Sequence, residues 1–418
     1  MDRSAGTPAA AEESAWEARH RRLPLRILDE SVQSFVALDD RRLAAAPGGE
    51  LSGLVFGVKD LIDVAGLPTR AGSLTREHAP VAAADAEVVA RLRAAGATPI
   101  GKTTTTEFAF VDPTQTRNPW NLAHSPGGSS SGSGAAVAAG FVDFALGTQT
   151  AGSLCRPAAY CGVAAIKPSY GMVPTAGLVA LSPSFDTIGV IAPTVARAAE
   201  ALEVMAPGAF AGWSGDLPGM VLATPTGGIY DGSTERVAAF HLRTAAAVRA
   251  AGGSVVDVAA PFDPSIVISD HRVVMLHEAF AQHGHLLARP HLIGPRFREG
   301  LEIGRSISVQ RAADARSRLE LARDRVWRAL DGFDGLLLQP VPDTAPMGLE
   351  TTGDQSYLTP WTAFGGPLVV VPGELSTEGL PLAAMVAAAP GRDRVAIGIG
   401  IALQAIIDRV PRPAPVRA

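Results

Sequence analysis

Apolar runs alternate along the chain with stretches in which apolar residues recur every three or four positions. The first 110 residues contain a strand-like run at 54–58, a helix-like stretch at 85–95 and another strand-like run at 98–101. Continuous or period-two apolar runs predict strands, and a period near 3.6 predicts amphipathic helices. Their alternation predicts an α/β fold.

The same alternation continues to the C-terminal end. Further strands are predicted at 141–146, 163–166, 220–223, 254–258, 335–338, 367–371 and 382–387. Further helices are predicted at 135–140, 194–205, 235–251, 271–287 and 305–330, with a long loop at 111–134. Because no repeat of 20–50 residues is visible, solenoids and propellers are excluded. The pattern predicts a single large mixed β-sheet with helices on both faces.

Composition and charge narrow the class of protein. The 418 residues are 47% hydrophobic and 18% charged, which is too apolar for a disordered chain. A net charge of −5 gives no basic surplus to attract nucleic acid. Two cysteines, Cys155 and Cys161, are too few for a disulfide scaffold or a cysteine metal site. The N-terminus does not resemble a signal peptide, and the apolar run 395–407 is too short to span a bilayer. We therefore expect a cytoplasmic protein.

Residues 96–103, GATPIGKT, match the G-x-x-x-x-G-K-[ST] pattern of phosphate-binding loops. A phosphate loop follows a strand and opens a helix, whereas here a predicted helix ends at Gly96 and a strand follows. The four threonines from Thr103 to Thr106 also make a poor first helical turn. The segment is therefore predicted to be a helix-to-strand junction.

Two serine-bearing segments are the strongest candidates for chemistry. The glycine- and serine-rich stretch 125–134 is typical of a flexible linker when taken alone. It nevertheless runs directly into AAVAAGFVDFALG, which we expect to be buried. Ser153 follows Ala151 and Gly152 at the start of a predicted helix, where free backbone N–H groups are available to hold a developing oxyanion.

Lysine is scarce, since Lys59, Lys102 and Lys167 are the three lysines among 36 basic residues. Lys59 ends a predicted apolar strand. Burial there lowers the pKa of a lysine and makes it a usable base, whereas arginine cannot give up its proton. Lys102 and Lys167 are expected to be structural and to pair with acids near the site.

Taken in order, these segments resemble the amidase signature family of Ser-Ser-Lys hydrolases. The matching stretches are GVKD at 57–60, GKT at 101–103, RNPWN at 117–121, SPGGSS at 125–130, GTQTAGS at 147–153, PAAYCG at 157–162 and IKPS at 166–169. The resemblance implies the amidase signature fold, an α/β fold with one mixed sheet between helix layers. The N-terminal residues predict a flexible lead-in at 1–15, and the resemblance implies a single domain over 16–418 behind it. The catalytic core is expected at about 50–190 and the substrate-cavity region at about 191–418.

The resemblance implies a role for each triad residue. Ser153 is expected to be the nucleophile, Ser129 a bridging serine after a cis peptide bond, and Lys59 the general base. The oxyanion hole is expected to consist of four successive backbone N–H groups, those of Thr150, Ala151, Gly152 and Ser153. The expected reaction is hydrolysis of a small-molecule amide through an acyl-enzyme, without a cofactor or metal.

Arg156 and Ser130 are the candidate substrate-binding residues. Many family members have arginine two residues after the nucleophile, whereas this sequence has Cys155 there and Arg156 next. This placement is similar to the malonamidase branch, in which an arginine pairs with a substrate carboxylate. It favours a dicarboxylate monoamide, and a structural ion pair of Arg156 is the alternative. Ser130 is expected either to contact the triad or to satisfy a turn.

A thiol nucleophile and a metal site are the other chemistries that the residues suggest. Cys155 has no histidine near it in sequence except His124, and a free cysteine is most often a small buried hydrophobe. The C-terminal half has four histidines near Glu278, at positions 277, 283, 285 and 291. They lack the H-E-x-x-H spacing of zinc enzymes, so we interpret them as polar positions of a helix.

Three functions are compatible with the sequence. The first is a free-standing amidase that acts on a small-molecule amide, without nucleic acid or membrane, and with a homodimer as one option. The second is a component similar to the A-type subunit of a tRNA-dependent amidotransferase, which needs partner subunits. The third is a non-catalytic scaffold, against which the intact Lys59, Ser129 and Ser153 argue. Amide hydrolysis by the lone chain separates the first from the second, and serine labelling tests the third.

Overall fold

The computed structural model describes residues 25–39, 48–213 and 217–407, so the expected lead-in at 1–15 lies outside the described residues. Within them, eleven strands join one sheet. The strands are β1 (Phe35–Leu38), β2 (Val55–Lys59), β3 (Thr98–Thr103), β4 (Phe144–Gln149), β5 (Ala164–Lys167), β6 (Thr187–Ala192), β7 (Val221–Thr226), β8 (Ser254–Ala259), β9 (Gly335–Leu338), β10 (Leu368–Leu375) and β11 (Pro381–Ala387).

The strand order across the sheet is β1-β3-β2-β4-β6-β5-β10-β11-β9-β7-β8. Strand β2 pairs in parallel with β3 and β4, and β7 pairs in parallel with β8 and β9. The pairs between β4 and β9, through β6, β5, β10 and β11, are antiparallel. The sheet is therefore mixed, as predicted. Because β2 and β4 run in the same direction, their carboxyl ends meet at one edge, where α/β proteins commonly place their sites.

The described residues form eleven α-helices. They are α1 (Leu25–Asp29), α2 (Glu87–Ala94), α3 (Ser131–Ala138), α4 (Cys155–Cys161), α5 (Val195–Met205), α6 (Glu235–Ala250), α7 (Pro264–His283), α8 (Pro295–Ser306), α9 (Val309–Ala329), α10 (Thr359–Ala363) and α11 (Asp393–Ile406). Short 3₁₀ turns lie at Leu74–Arg76, Glu107–Ala109, Gly228–Gly232, Gly284–Ala288 and Pro290–Leu292.

The sheet separates two apolar cores. Because successive side chains of a strand point to opposite faces of the sheet, the strands contribute residues to both cores. In β10, Val370 enters one core while Val369 and Val371 enter the other. Helices α3, α4, α7, α8, α9 and α10 cover the first core. Helices α2, α5, α6 and α11 cover the second. The prediction of helices on both faces of a mixed sheet is confirmed.

Several element boundaries differ from the predicted ones. The helix predicted at 305–330 begins at Val309 instead, because Arg305 and Ser306 end α8, Ile307 is extended and the Ser308 hydroxyl caps α9 by accepting from Arg311 N. The residues of α3 start within the predicted loop. A Cβ at Gly132 would lie 2.2 Å from Ser34 O, so the small residues let α3 pack directly against a neighbouring backbone.

Residues 96–103 form the predicted junction. Helix α2 ends at Ala94, Gly96 has a φ of 94°, and β3 begins at Thr98. The order of elements is therefore helix, turn and strand. This is the reverse of the order in a phosphate-binding loop.

Candidate active site

Lys59 lies at the carboxyl end of β2 with no exposed surface. Its Nζ is 2.7 Å from Ser129 Oγ and 2.7 Å from Thr148 Oγ1 on neighbouring β4. Burial lowers the pKa of the Lys59 amine well below its ordinary value, and the negative charge of Asp186 opposes this only in part. A neutral amine in contact with a hydroxyl can accept its proton.

Ser129 is fully buried just before α3, and the Gly128–Ser129 peptide bond is cis, as the resemblance implies. The Ser129 carbonyl accepts from Thr106 N at 3.2 Å, which ties this segment to the loop after β3. Gly127 has a φ of 82°, and a Cβ at Gly128 would lie 2.7 Å from Thr352 Cγ2. The two glycines therefore provide a conformation and a close approach that other residues do not allow.

Ser153 lies in the turn between β4 and α4 and is 4% exposed. Its carbonyl accepts from Ser130 N at 3.0 Å, so the two serine-bearing segments touch through their backbones. The side chain of Gln149, at the end of β4, accepts from the N–H groups of Leu154 and Cys155, both at 2.9 Å. The turn is thus held at both ends, and the Ser130–Ser153 backbone hydrogen bond joins it to the segment of Ser129, whose hydroxyl contacts Lys59. The assignment of all three residues to one triad stays a prediction.

The segment 150–153 presents free backbone N–H groups. Within the described part of the chain, the N–H groups of Ala151, Gly152 and Ser153 have no hydrogen-bond acceptor. Their carbonyls and that of Thr150, by contrast, all have donors. Successive free donors beside a nucleophile are what an oxyanion hole requires. The oxyanion-hole assignment stays a prediction that this geometry supports.

Asp186 is a buried carboxylate of the site that was not predicted from the sequence. It accepts from Thr150 Oγ1 at 2.5 Å and from the N–H groups of Leu181 and Ser182 at 2.8 and 2.9 Å. Burial raises the pKa of Asp186 to about 6, although these three hydrogen bonds and the charge of Lys59 act in the opposite direction. In the sequence, the feature that could have indicated this residue is its position directly before the apolar strand β6.

The other two lysines differ from Lys59 in their partners. Lys102 Nζ lies 3.1 Å from Asp60 Oδ1 and 2.8 Å from Thr69 Oγ1, so its predicted pairing with an acid is confirmed. Lys167 Nζ donates to Pro168 O at 2.7 Å and makes no ion pair with a described residue. Burial lowers the pKa of Lys167 to about 8.

Arg156 is buried and its guanidinium holds backbone carbonyls. Nε and Nη2 donate to Gly128 O at 3.0 and 2.8 Å, and Nη1 donates to Gly353 O. The Gly128 carbonyl belongs to the peptide that carries Ser129, so Arg156 fixes the position of the bridging serine. A substrate-binding role for Arg156 stays a prediction.

Ser130, the second predicted substrate-binding residue, also contacts backbone. Its Oγ donates to Thr148 O at 3.3 Å and accepts from Thr148 N at 3.2 Å. Both capacities of the hydroxyl are used on β4, the strand that also contributes Thr148 Oγ1 to Lys59. A direct contact of Ser130 with substrate stays a prediction.

Cys155, His277 and His283 lie in positions typical of structural residues. Both cysteines are free and buried, and burial raises the pKa of the Cys155 thiol to about 12, which disfavours the thiolate. His277 and His283 each place a ring nitrogen on a backbone carbonyl. Among residues 25–39, 48–213 and 217–407, no group of three or more potential ligands is arranged to hold a metal.

Comparison with known proteins relates the chain to amidases. The amidase family model matches residues 25–396. The A-type subunit of glutamyl-tRNA(Gln) amidotransferase from Halobacterium salinarum is 39% identical over 273 residues, which is 60% of this chain and 63% of that protein. The same subunit of Chloroflexus aggregans is 31% identical over 440 residues, covering 91% and 88%. A crystal structure of an amidase superposes with a TM-score of 0.85 at 28% identity, covering 94% and 96%.

The comparisons correct the prediction about partners. The similar curated proteins carry the name of one subunit of a larger enzyme, a glutamyl-tRNA(Gln) amidotransferase. The prediction of a small-molecule amide alone, without nucleic acid and with a homodimer as one option, is therefore wrong. It rested on net charge, which says nothing about which partner subunits cover a surface. No helix among the described residues is long and apolar enough to cross a bilayer.

Proposed function

The chain belongs to the amidase signature family, and on that premise we propose that it is the amide-cleaving subunit of an amidotransferase. Ser153 is the nucleophile, Ser129 the proton bridge and Lys59 the base. The observation that carries the proposal is the buried Lys59 amine 2.7 Å from Ser129 Oγ, with its pKa lowered by burial. A lysine that must stay neutral needs a buried position without an acid in contact, whereas the buried Lys102 lies 3.1 Å from Asp60 Oδ1.

The first half-reaction forms an acyl-enzyme. Ser153 Oγ attacks the amide carbonyl carbon while its proton passes to Ser129 Oγ and the Ser129 proton passes to Lys59 Nζ. The negative charge that develops on the carbonyl oxygen faces the N–H groups of residues 150–153. When the carbon–nitrogen bond breaks, the Lys59 ammonium returns a proton through Ser129 to the leaving nitrogen, which departs as ammonia from a primary amide.

The second half-reaction releases the acyl group. Water attacks the ester carbonyl and gives its proton through the same two groups, which regenerates Ser153 and frees a carboxylate. In an amidotransferase the ammonia goes to an acceptor bound by a partner subunit. Support for this assignment comes from the similar amidotransferase subunits, one of which aligns with 91% of the chain. Glutamine is the amide donor we infer, and Glu-tRNA(Gln) the acceptor.

The test measures transfer rather than hydrolysis alone. The tagged full chain is recovered from its own host together with bound proteins, and is given amide-¹⁵N glutamine and Glu-tRNA(Gln). We expect ¹⁵N in the aminoacyl group, and no transfer by the matched Ser153→Ala chain recovered in the same way. Rapid glutamine hydrolysis by the lone chain, with no transfer by the recovered assembly, would overturn the amidotransferase assignment and leave only the amidase activity.

A further inference from the structure

Two side chains from outside the catalytic segments reach the carbonyl side of the oxyanion loop, residues 150–153. His271, on α7, has its Nε2 2.8 Å from Thr150 O. Thr362, on α10, donates through Oγ1 to Ala151 O at 2.5 Å. A carbonyl oxygen can only accept a hydrogen bond, so His271 Nε2 carries the hydrogen.

The remaining two carbonyls of the loop are held locally. Gly152 O accepts from Arg156 N at 3.0 Å, and Ser153 O accepts from Ser130 N at 3.0 Å. These donors belong to α4 and to the glycine- and serine-rich stretch 125–134, which lie next to Ser153 and contain Ser129, respectively. His271 is different, because it lies 121 residues from Thr150 in sequence and arrives on a helix of the predicted cavity region.

Peptide geometry connects these carbonyls to the oxyanion donors. The Thr150 carbonyl and the Ala151 N–H belong to one planar trans unit, so they point in opposite directions. A hydrogen bond that fixes the direction of Thr150 O therefore fixes the direction of Ala151 N–H. It also polarises the peptide and strengthens the N–H as a donor. The Ala151 carbonyl and the Gly152 N–H are related to Thr362 in the same way.

His271 is itself held firmly. It is 2% exposed, and its ring packs against Phe185 with a centroid separation of 4.3 Å. Asp270, the preceding residue, accepts a bidentate pair of hydrogen bonds from Arg318, which joins α7 to α9. Burial lowers the pKa of His271 to about 4, so the ring is neutral near pH 7. An immobile donor is what orientation of a peptide requires.

We propose that His271 is a positioning residue of the oxyanion hole, which orients the Ala151 N–H by holding the Thr150 carbonyl. The inference rests on the proposed Ser-Ser-Lys chemistry. It adds that helix α7 contributes to catalysis through the backbone of the catalytic turn. Because an oxyanion exists in the transition state and not in the bound substrate, loss of this donor lowers kcat and leaves KM nearly unchanged.

The test compares His271→Ala and His271→Gln with His283→Ala as the matched control. His283 lies on the same helix and also donates from Nε2 to a backbone carbonyl, Ala180 O at 2.7 Å, outside the loop. With p-nitrophenyl acetate and the full chain, we expect kcat of His271→Ala to fall about 10- to 100-fold, below the effect of deleting a direct oxyanion donor. KM should change less than about threefold. His283→Ala should keep the parental kcat.

Conservative variants keep the test decisive if His271→Ala does not fold. Glutamine places an N–H near the position of Nε2, whereas asparagine reaches only as far as Nδ1. We expect His271→Gln to retain several-fold more kcat than His271→Asn at equal thermal stability. Equal kcat in both, or parental kcat in His271→Ala, would overturn the inference. Full activity in Ser153→Ala would instead overturn the proposed chemistry, so the two failures are distinguishable.

Discussion

Replacement of Lys59 by methionine should separate activity from stability. Methionine keeps the volume of the side chain but removes the amine 2.7 Å from Ser129 Oγ. Loss of a general base typically costs 10²- to 10⁴-fold in turnover, which is about 3–5 kcal/mol of activation free energy. We expect a loss of this size for Lys59→Met, measured as ammonia release from glutamine and as p-nitrophenyl acetate hydrolysis.

The same substitution should change the stability of the fold in a pH-dependent way. A lysine whose folded pKa is lowered from 10.5 loses stability as the pH falls below 10.5, because the unfolded chain binds the proton more strongly. That contribution is at most about 4 kcal/mol between pH 10 and pH 7, at about 1.4 kcal/mol per pH unit. Two hydroxyls, those of Ser129 and Thr148, lose a partner, at about 1–3 kcal/mol each. We expect urea unfolding to give Lys59→Met a stability relative to the parent that is higher at pH 7 than at pH 10.

Lys102→Met is the control for this substitution. Lys102 is equally buried, but it pairs with Asp60, so its removal leaves a buried carboxylate without its cation. Breaking such a pair costs about 3–5 kcal/mol. Lys102→Met should therefore be less stable than the parent at pH 7. The role of Lys59 as a neutral base would be refuted if Lys59→Met kept more than about a tenth of parental turnover, or if its relative stability did not depend on pH.

Three other residues of the site give further tests. Ser129→Ala should lower turnover about 10²- to 10⁴-fold with an unchanged circular dichroism spectrum, since it breaks the proton bridge; parental turnover would contradict the bridge. Asp186→Asn should gain stability relative to the parent between pH 4 and pH 7, by up to about 3 kcal/mol in urea unfolding, because a raised pKa makes the parent lose stability as pH rises through about 6. If the stability difference between Asp186→Asn and the parent did not change between pH 4 and pH 7, the buried charge of Asp186 would be contradicted. Arg156→Lys should slow hydrolysis of carboxylate-bearing and carboxylate-free amides equally, because its donors hold Gly128 O and Gly353 O; a selective loss would assign it to substrate.

The sequence predicts the catalytic elements well because their chemistry is local. Glycines beside Ser129 and Ser153, and a lysine at a strand end, are visible within short segments. In the structure, Lys59 Nζ lies 2.7 Å from Ser129 Oγ. Asp186 and His271 were missed because each acts on Thr150 from a distant element. A single buried aspartate or histidine carries no local pattern that distinguishes it from any other.

The last helix that the structure describes shows why some elements were not predicted from the sequence. Helix α11 contains Gly398 and Gly400, and its β-branched residues favour a strand. In the structure, a Cβ at Gly400 would lie 2.6 Å from Val369 Cγ1, so the glycine allows the helix to pack closely on β10. Such tertiary contact overrides propensity. Helix α7 had a readable signal, Asp263 as N-cap before Pro264, but the periodicity alone placed its start at 271.

The central claim is that Ser153 is a nucleophile activated by Lys59 through Ser129. The most direct measurement is fluorophosphonate labelling of the full chain, with the modified peptide identified by mass spectrometry and the rate measured in parent, Lys59→Met and Ser129→Ala. We predict one adduct, on Ser153, formed at least about 100-fold more slowly in both variants. An adduct on Cys155 or Ser129 would contradict the claim. Labelling of the two variants at the rate of the parent, or a folded parent that does not label, would also contradict it.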